Sequence, residues 1–244
     1  MQEKRQDIHN STVPALCLSC EARHKGLCGA LEPEELLRLS RHTTIRQHPA
    51  RSQLVTEEEP VDTYANVLSG VVKLTKTLQD GRQQIVGLQF APDFVGRPFQ
   101  PESKVGAEAA SDVTLCYFPR KALESMMKEQ PGLENRLLRQ ALGELDEARE
   151  LMLTLGRKTA EEKLATFLHM IARHIDPSSN PDQNNAVTFD LPLTRTDIAD
   201  FLGLTVETVS RQLTRLRKAG IVMVENNRHF HVPDMARLQD ISGA

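Results

Sequence analysis

The stretch "LPLTRTDIADFLGLTVETVSRQLTRLRKAGIVMVENNRHFHV", residues 191–232, holds two short helical periods, a tight turn and a hairpin in succession. Thr194 can cap a first helix whose apolar face is Ile198, Ala199, Phe201 and Leu202. Gly203 suits the tight turn, and Thr205 can cap a second helix with Val206, Val209, Leu213 and Leu216 pointing inward. Gly220 ends that helix, and Asn226-Asn227 turns the remaining apolar run back on itself. Helix, turn, helix and β-wing together predict a winged helix-turn-helix.

The second helix is also where basic charge gathers. Arg211, Arg215, Arg217 and Lys218 stand there against one acid, Glu207, although the chain as a whole has a net charge of −3. A nucleic-acid footprint must therefore be local. Arg211 can donate twice to guanine O6 and N7, and Glu207 can accept from cytosine N4. Thr194, Thr205 and Thr208 join Arg215, Arg217 and Lys218 as expected phosphate contacts.

Upstream, "GLENRLLRQALGELDEARELMLTLGRK" sets Leu138, Leu145 and Met152 seven residues apart, with Ala141, Ala148 and Leu155 three beyond each. Such a seam predicts a long helix that pairs with a second copy, the two small alanines allowing close approach. The alternative is an amphipathic helix packed on its own domain. Arg149 and Glu150 flank the seam, where like-charge repulsion would keep the pairing marginal. "TAEEKLATFLHMIARHI" is a further helix capped by Thr159, with Leu164, Phe167, Leu168 and Ile171 as core, and "DPSSNPDQNNA" is a polar loop.

Residues 31–120 read as β-rich. Val72, Leu74 and Leu78, then Val86, Leu88 and Phe90, flank Asp80-Gly81, a strong hairpin signal. In "DVTLCYFP" Val113, Leu115 and Tyr117 share one face, and Cys116 and Phe118 the other. Short strands with frequent turns suggest a small barrel or jelly roll.

Before that region, "CLSCEARHKGLC" places three of the four cysteines at 17, 20 and 28. No signal-peptide core or membrane-length apolar run is present, so a cytoplasmic address is expected and structural disulfides are disfavoured. Eight residue steps from Cys20 to Cys28 can span roughly 27 Å when extended, and Gly26 offers freedom to loop back. Spacing alone leaves iron–sulfur, zinc and thiol redox chemistry open. His9 and His24 read as surface histidines. An iron–sulfur enzyme has little support: there is no C-x3-C-x2-C triad, phosphate-cradling glycine loop or arranged catalytic dyad.

A cysteine triad, β-roll, long helix and winged helix-turn-helix in this order resemble the CRP/FNR superfamily of bacterial transcription regulators. "LGLTVETVSRQLTRLRKAG", "TAEEKLATFL" and "DGRQQIVGLQFAPDFVG" are similar to its oxygen-responsive FNR branch, and C-x2-C-x7-C to the FnrL/FnrN type. The resemblance covers nearly the whole chain. It implies a [4Fe–4S] cluster on Cys17, Cys20, Cys28 and Cys116, and Glu207, Ser210 and Arg211 as base-reading residues for TTGAT-type half-sites. It further implies a homodimer on a two-fold operator, loss of the cluster and of DNA in oxygen, and contact with RNA polymerase. No cyclic nucleotide is expected, because no arginine occurs between Arg97 and Arg120 to grip its phosphate. The rival within the same fold is a regulator whose cysteines bind zinc or sense oxidants as thiols.

The expected fold class is thus α+β. Residues 1–30 would form a cysteine segment and 31–120 a β-roll, the cyclic-nucleotide-binding type of jelly roll. Residues 121–157 would be connecting and dimerisation helices, and 158–244 the winged helix-turn-helix.

Overall fold

The computed structural model describes residues 13, 14, 17, 18, 20–175 and 186–243. Most of the polar loop expected at 176–186, and His9, lie outside the described residues. The chain divides into two compact units, Met1–Lys76 with Gly87–Leu145, and Thr77–Val86 with Asp146–Ala244.

Eight strands build the roll: β1 (Thr44–His48), β2 (Gln53–Val55), β3 (Thr63–Ser69), β4 (Val72–Thr77), β5 (Gln83–Gln89), β6 (Phe94–Val95), β7 (Gly106–Ala109) and β8 (Val113–Pro119). They form two four-stranded sheets, ordered β1-β8-β3-β6 and β2-β7-β4-β5. Alanine, valine and leucine side chains, including Ala65, Val67, Val72, Ala107, Ala109, Val113 and Leu115, fill one buried cluster. Each buried valine or leucine among them contributes on the order of 1.5–3 kcal/mol, and each alanine methyl less than about 1.

Strand β8 separates two cores. Val113 and Leu115 belong to that first cluster, while Phe118 lies in a second, against which Cys116 packs. The alternation expected for this strand is observed. The second cluster joins Leu27 from the cysteine segment, and Leu31 directly after it, to Tyr64, Phe94 and three helices. These are α1 (Pro33–Ser40), α2 (Arg120–Glu129) and α3 (Pro131–Arg157).

Several expectations are corrected. Helix α1 lies inside the region read as β-rich; its Glu32/Glu35 capping box and Pro33 start it, but it buries only Leu36 and Leu39, too few for a visible period. The Asp80-Gly81 hairpin forms, yet Leu78 sits in its turn, 57 % exposed, with its N–H bonded to the Arg82 carbonyl. In β5 the buried positions are Ile85, Leu88 and Gln89, so Ile85 replaces Val86 as an inward apolar residue. The parity changes across Gly87, whose bare Cα lies against Leu74.

The second unit contains α4 (Ala160–Ile175), β9 (Val187–Asp190), α5 (Arg195–Leu202), α6 (Val206–Lys218), β10 (Met223–Glu225), β11 (His229–Val232) and α7 (Met235–Ile241). Thr159 and Glu162 cap α4 reciprocally, and Leu164, Phe167, Leu168 and Ile171 are all buried. Helix α4 packs against α5, α6 and α7. Gly203 closes α5 at φ +60°, the left-handed value its position after the helix requires. Asn226 and Asn227 both take positive φ in the wing turn. Two elements were not legible: β9, which makes the wing a three-stranded sheet ordered β10-β11-β9, and α7. Val206, expected inside, is exposed, because it is the first residue of α6 and stands a turn ahead of the buried Val209.

Candidate sulfur cleft and nucleic-acid interface

All four cysteines line one cleft of about 410 Å³, measured with its open mouth. The C-x2-C pair is gathered by a turn in which the Cys20 N–H bonds to the Cys17 carbonyl at 3.4 Å. A second short helical turn, Leu27–Ala30, carries Cys28 and buries Leu27 beside it. Cys116 arrives on β8 from 88 residues further along the chain. Leu36, Leu39, Ile45, Leu68 and Phe118 make the remaining wall largely apolar, with Arg23, Ser40, Thr43 and Asn66 as polar members.

Gly26 does not serve as the flexible link the sequence suggested. A Cβ there would meet the Pro92 carbonyl oxygen at 2.8 Å and Ala22 Cα at 3.0 Å. It is glycine because two backbones pass too closely for a side chain. His24 is exposed, as expected, and does not line the cleft.

Burial pushes the Cys116 thiol up to about 12, and the sulfurs of Cys20 and Cys17 add to the shift by repulsion. Burial raises Cys28 further, again reinforced by repulsion from the other three. Cys17 is raised by burial and by Cys20, while Arg23 acts in the opposite sense. The thiols of Cys17, Cys28 and Cys116, which resist ionisation, suit a cationic centre that would neutralise them. Among the described residues no three His, Cys, Asp or Glu side chains are gathered tightly enough to close on a single ion. The donor set on the cleft wall is entirely sulfur, the soft set shared by iron–sulfur and zinc sites.

The cysteine segment also packs on the beginning of α3. Leu133 is fully buried in the cluster that holds Leu27 and Leu31, and Leu137 packs against it. Arg136 donates to the Lys25 carbonyl, and Gly132 lies 3.6 Å (from a built Cβ) from the Ala30 carbonyl. Sequence reasoning missed this contact because Leu133 and Leu137 fall outside the heptad seam.

On that seam Leu138, Leu145 and Met152 are exposed, Met152 by 64 %, as is Ala141; Ala148 and Leu155 are half-buried. Leu142 and Leu153 add exposed apolar surface the heptad reading left out. The flanking charges are paired: Arg149 Nη1 lies 3.0 Å from Asp146, and Glu150 lies 3.8 Å from Lys158.

In the helix-turn-helix, Thr194 and the buried Asp197 cap α5 reciprocally, and the Thr205 hydroxyl accepts the Thr208 N–H at 3.2 Å to cap α6. The Thr205 and Thr208 hydroxyls are also bonded to each other. Glu207, Ser210, Arg211, Thr214, Arg217 and Lys218 are exposed on α6. The Glu207 carboxylate is held below its usual range by its own backbone N–H and the Thr205 hydroxyl, so it stays an acceptor. Arg211 reaches back to the Thr208 hydroxyl at 3.4 Å. Arg215 is tied at 3.3 Å to Glu161 on α4 and so is partly committed within the domain.

A basic, capped helix presented beside a β-wing defines a DNA-binding regulator of the winged helix-turn-helix class. Residues 162–241 match the Crp-like helix-turn-helix domain, and residues 45–130 the cyclic nucleotide-binding domain. The chain is 52 % identical over the full length of both sequences to a "probable transcriptional activator" of Rhizobium leguminosarum bv. viciae. It is 43 % identical to the transcriptional activator protein FnrL of Cereibacter sphaeroides, covering 95 % of this chain and 94 % of that one. The structure of FixK2 from Bradyrhizobium japonicum matches with a TM-score of 0.74 at 32 % identity, over 83 % of this chain and 98 % of that one. The chain belongs to the CRP/FNR family of transcription regulators, which bind DNA and act as dimers. Among the described residues no helix is long and apolar enough to cross a membrane.

Proposed function

We propose that this protein is an oxygen-responsive transcriptional activator in which Cys17, Cys20, Cys28 and Cys116 hold a [4Fe–4S] cluster. The single observation carrying this reading is that four thiols from two distant stretches line one cleft. The names of the FnrL and Rhizobium relatives support activation. When bound, the cluster supplies a tie between sulfurs that oxygen can undo.

The protein's own residues do the rest. Leu27 and Leu31, held in place by the sulfur ligands beside them, press on Leu133, and Arg136 grips Lys25. The first turns of α3 are thereby fixed, which favours pairing of two copies along Leu138, Ala141, Leu145, Ala148 and Met152. Two α6 helices then engage the two half-sites of a TTGAT-type operator, with Glu207, Ser210 and Arg211 toward base edges and Thr194, Thr205, Thr208, Arg215, Arg217 and Lys218 toward phosphates. A monomer loses the effective-concentration advantage of engaging both half-sites. Activation entails contact with RNA polymerase. A cyclic nucleotide has no place in this reading, since residues 98–119 contain no arginine to meet its phosphate.

Anaerobic purification tests the reading. The expected product is brown, holds about four irons and four sulfides per chain, and bleaches in air with loss of operator binding. A Cys116→Ala variant should lose iron and operator binding while its C-terminal domain stays folded. A colourless zinc protein, or unchanged DNA binding after bleaching, would overturn it.

A further inference from the structure

We infer that Asn66 is a positioning residue for the sulfur centre, donating a hydrogen bond to the Cys28 sulfur and thereby setting how readily the centre is lost to oxygen. This rests on the cluster reading above. Three observations point to it. Asn66 Nδ2 lies 3.4 Å from Cys28 Sγ. On β3 the residue stands directly opposite Cys116 on β8, so one side chain touches the segment ligand from a position in register with the sheet ligand. It lines the cleft yet is 1 % exposed, fixed in the middle of a sheet between β8 and β6.

The energetics argue against a role in folding alone. Oδ1 of Asn66 is buried with no hydrogen-bond partner among the described residues. A buried amide with an orphaned carbonyl destabilises the fold relative to an apolar side chain of the same shape. Phe94, in register with it on β6, and Phe118, which shares the cleft wall, are apolar, so the surroundings would accept one. What an apolar side chain lacks is an N–H aimed at sulfur. That bond draws electron density from a ligating sulfur, steadies its more negative state and fixes its direction, as outer partners of metal ligands do.

The test is an Asn66→Leu variant, which keeps the branched heavy-atom skeleton without a donor, purified anaerobically beside the parent protein. Iron, sulfide, circular dichroism and the half-life of visible absorbance in air are measured on both. The expected result is a folded variant whose absorbance decays roughly 10-fold faster, or which retains correspondingly less iron. If the parent holds iron and sulfide and the variant decays at the same rate, the Asn66 role is wrong and the cluster reading stands. If the parent holds neither, both fall.

Should the variant fail to fold, the parent protein still decides the matter. Pulsed electron paramagnetic resonance on the reduced, ¹⁵N-asparagine-labelled protein should show a nitrogen coupled to the cluster. Absence of that coupling overturns the assignment.

Discussion

Arg136, in the second turn of α3, donates its guanidinium N–H to the backbone carbonyl of Lys25, between Cys20 and Cys28. A carbonyl acceptor makes this link independent of which side chain occupies position 25. It reports instead whether the backbone of the cysteine segment is in place. Arg136→Ala should leave iron content unchanged in anaerobic protein while weakening operator binding roughly 10-fold, the loss of about 1.4 kcal/mol expected for one charge-assisted bond. Gel-shift titration under nitrogen checks it, and an unaltered affinity would remove this residue from the coupling.

Gly26→Ala acts on the segment itself. The added methyl has to displace the Pro92 carbonyl, which belongs to the chain between β5 and β6, or the backbone at Ala22. Overpacking of this kind costs about 1–3 kcal/mol. Thermal unfolding should show the loss, with iron retention in anaerobic protein falling alongside.

Leu145→Asp addresses the seam. Two copies related by a two-fold axis lose a leucine each, about 3 kcal/mol or more in all, and gain two facing carboxylates. Sedimentation of the anaerobic protein should give a monomer. A dimer of parental stability would place the interface elsewhere.

Arg211 and Arg217 should part company on DNA. Arg211→Ala is expected to cost about 1–3 kcal/mol and relax preference at one base position. Arg217→Ala should weaken all sequences alike and reduce the salt slope by about one. Binding to a panel of single-base operator variants at several salt concentrations distinguishes them.

The metal-free thiols carry a pH dependence of definite sign. Cys116 and Cys28 titrate above their ordinary value near 9 because burial disfavours the thiolate. Below about pH 9 both folded and unfolded chains hold these protons, so the stability is intact. As pH climbs from there toward 12 the unfolded chain ionises first and the fold loses stability. The urea midpoint of metal-free protein should therefore fall between about pH 8 and about pH 10.5, and fall less in a Cys28→Ala, Cys116→Ala double variant.

Local periodicity made much of this architecture legible. The parity of β8, the caps at Thr159, Thr194 and Thr205, the Asp80-Gly81 turn and the asparagine wing turn are all short-range features, and each stands in the structure. What escaped was long-range. Asn66 is one polar residue in an apolar strand, and nothing local marks it as facing a cysteine 38 positions earlier. Helix α1 is too short for a period to show, and β9 becomes a strand only by pairing with the wing. The seam leucines were visible, but Leu133 and Arg136, which bind the helix to the cysteine segment, lay off the heptad.

Strand β8 turns Leu115 toward one core and Cys116 toward the other. The fourth thiol's address is therefore written as odd or even. Slip that strand by a single residue and a leucine is delivered to the cleft of the other three cysteines while the Cys116 sulfur is sealed in the roll, with the composition unaltered. Within β8 the count of residues matters as much as their identity: a one-residue insertion ahead of Leu115 that kept Val113 in the roll would exchange the two faces.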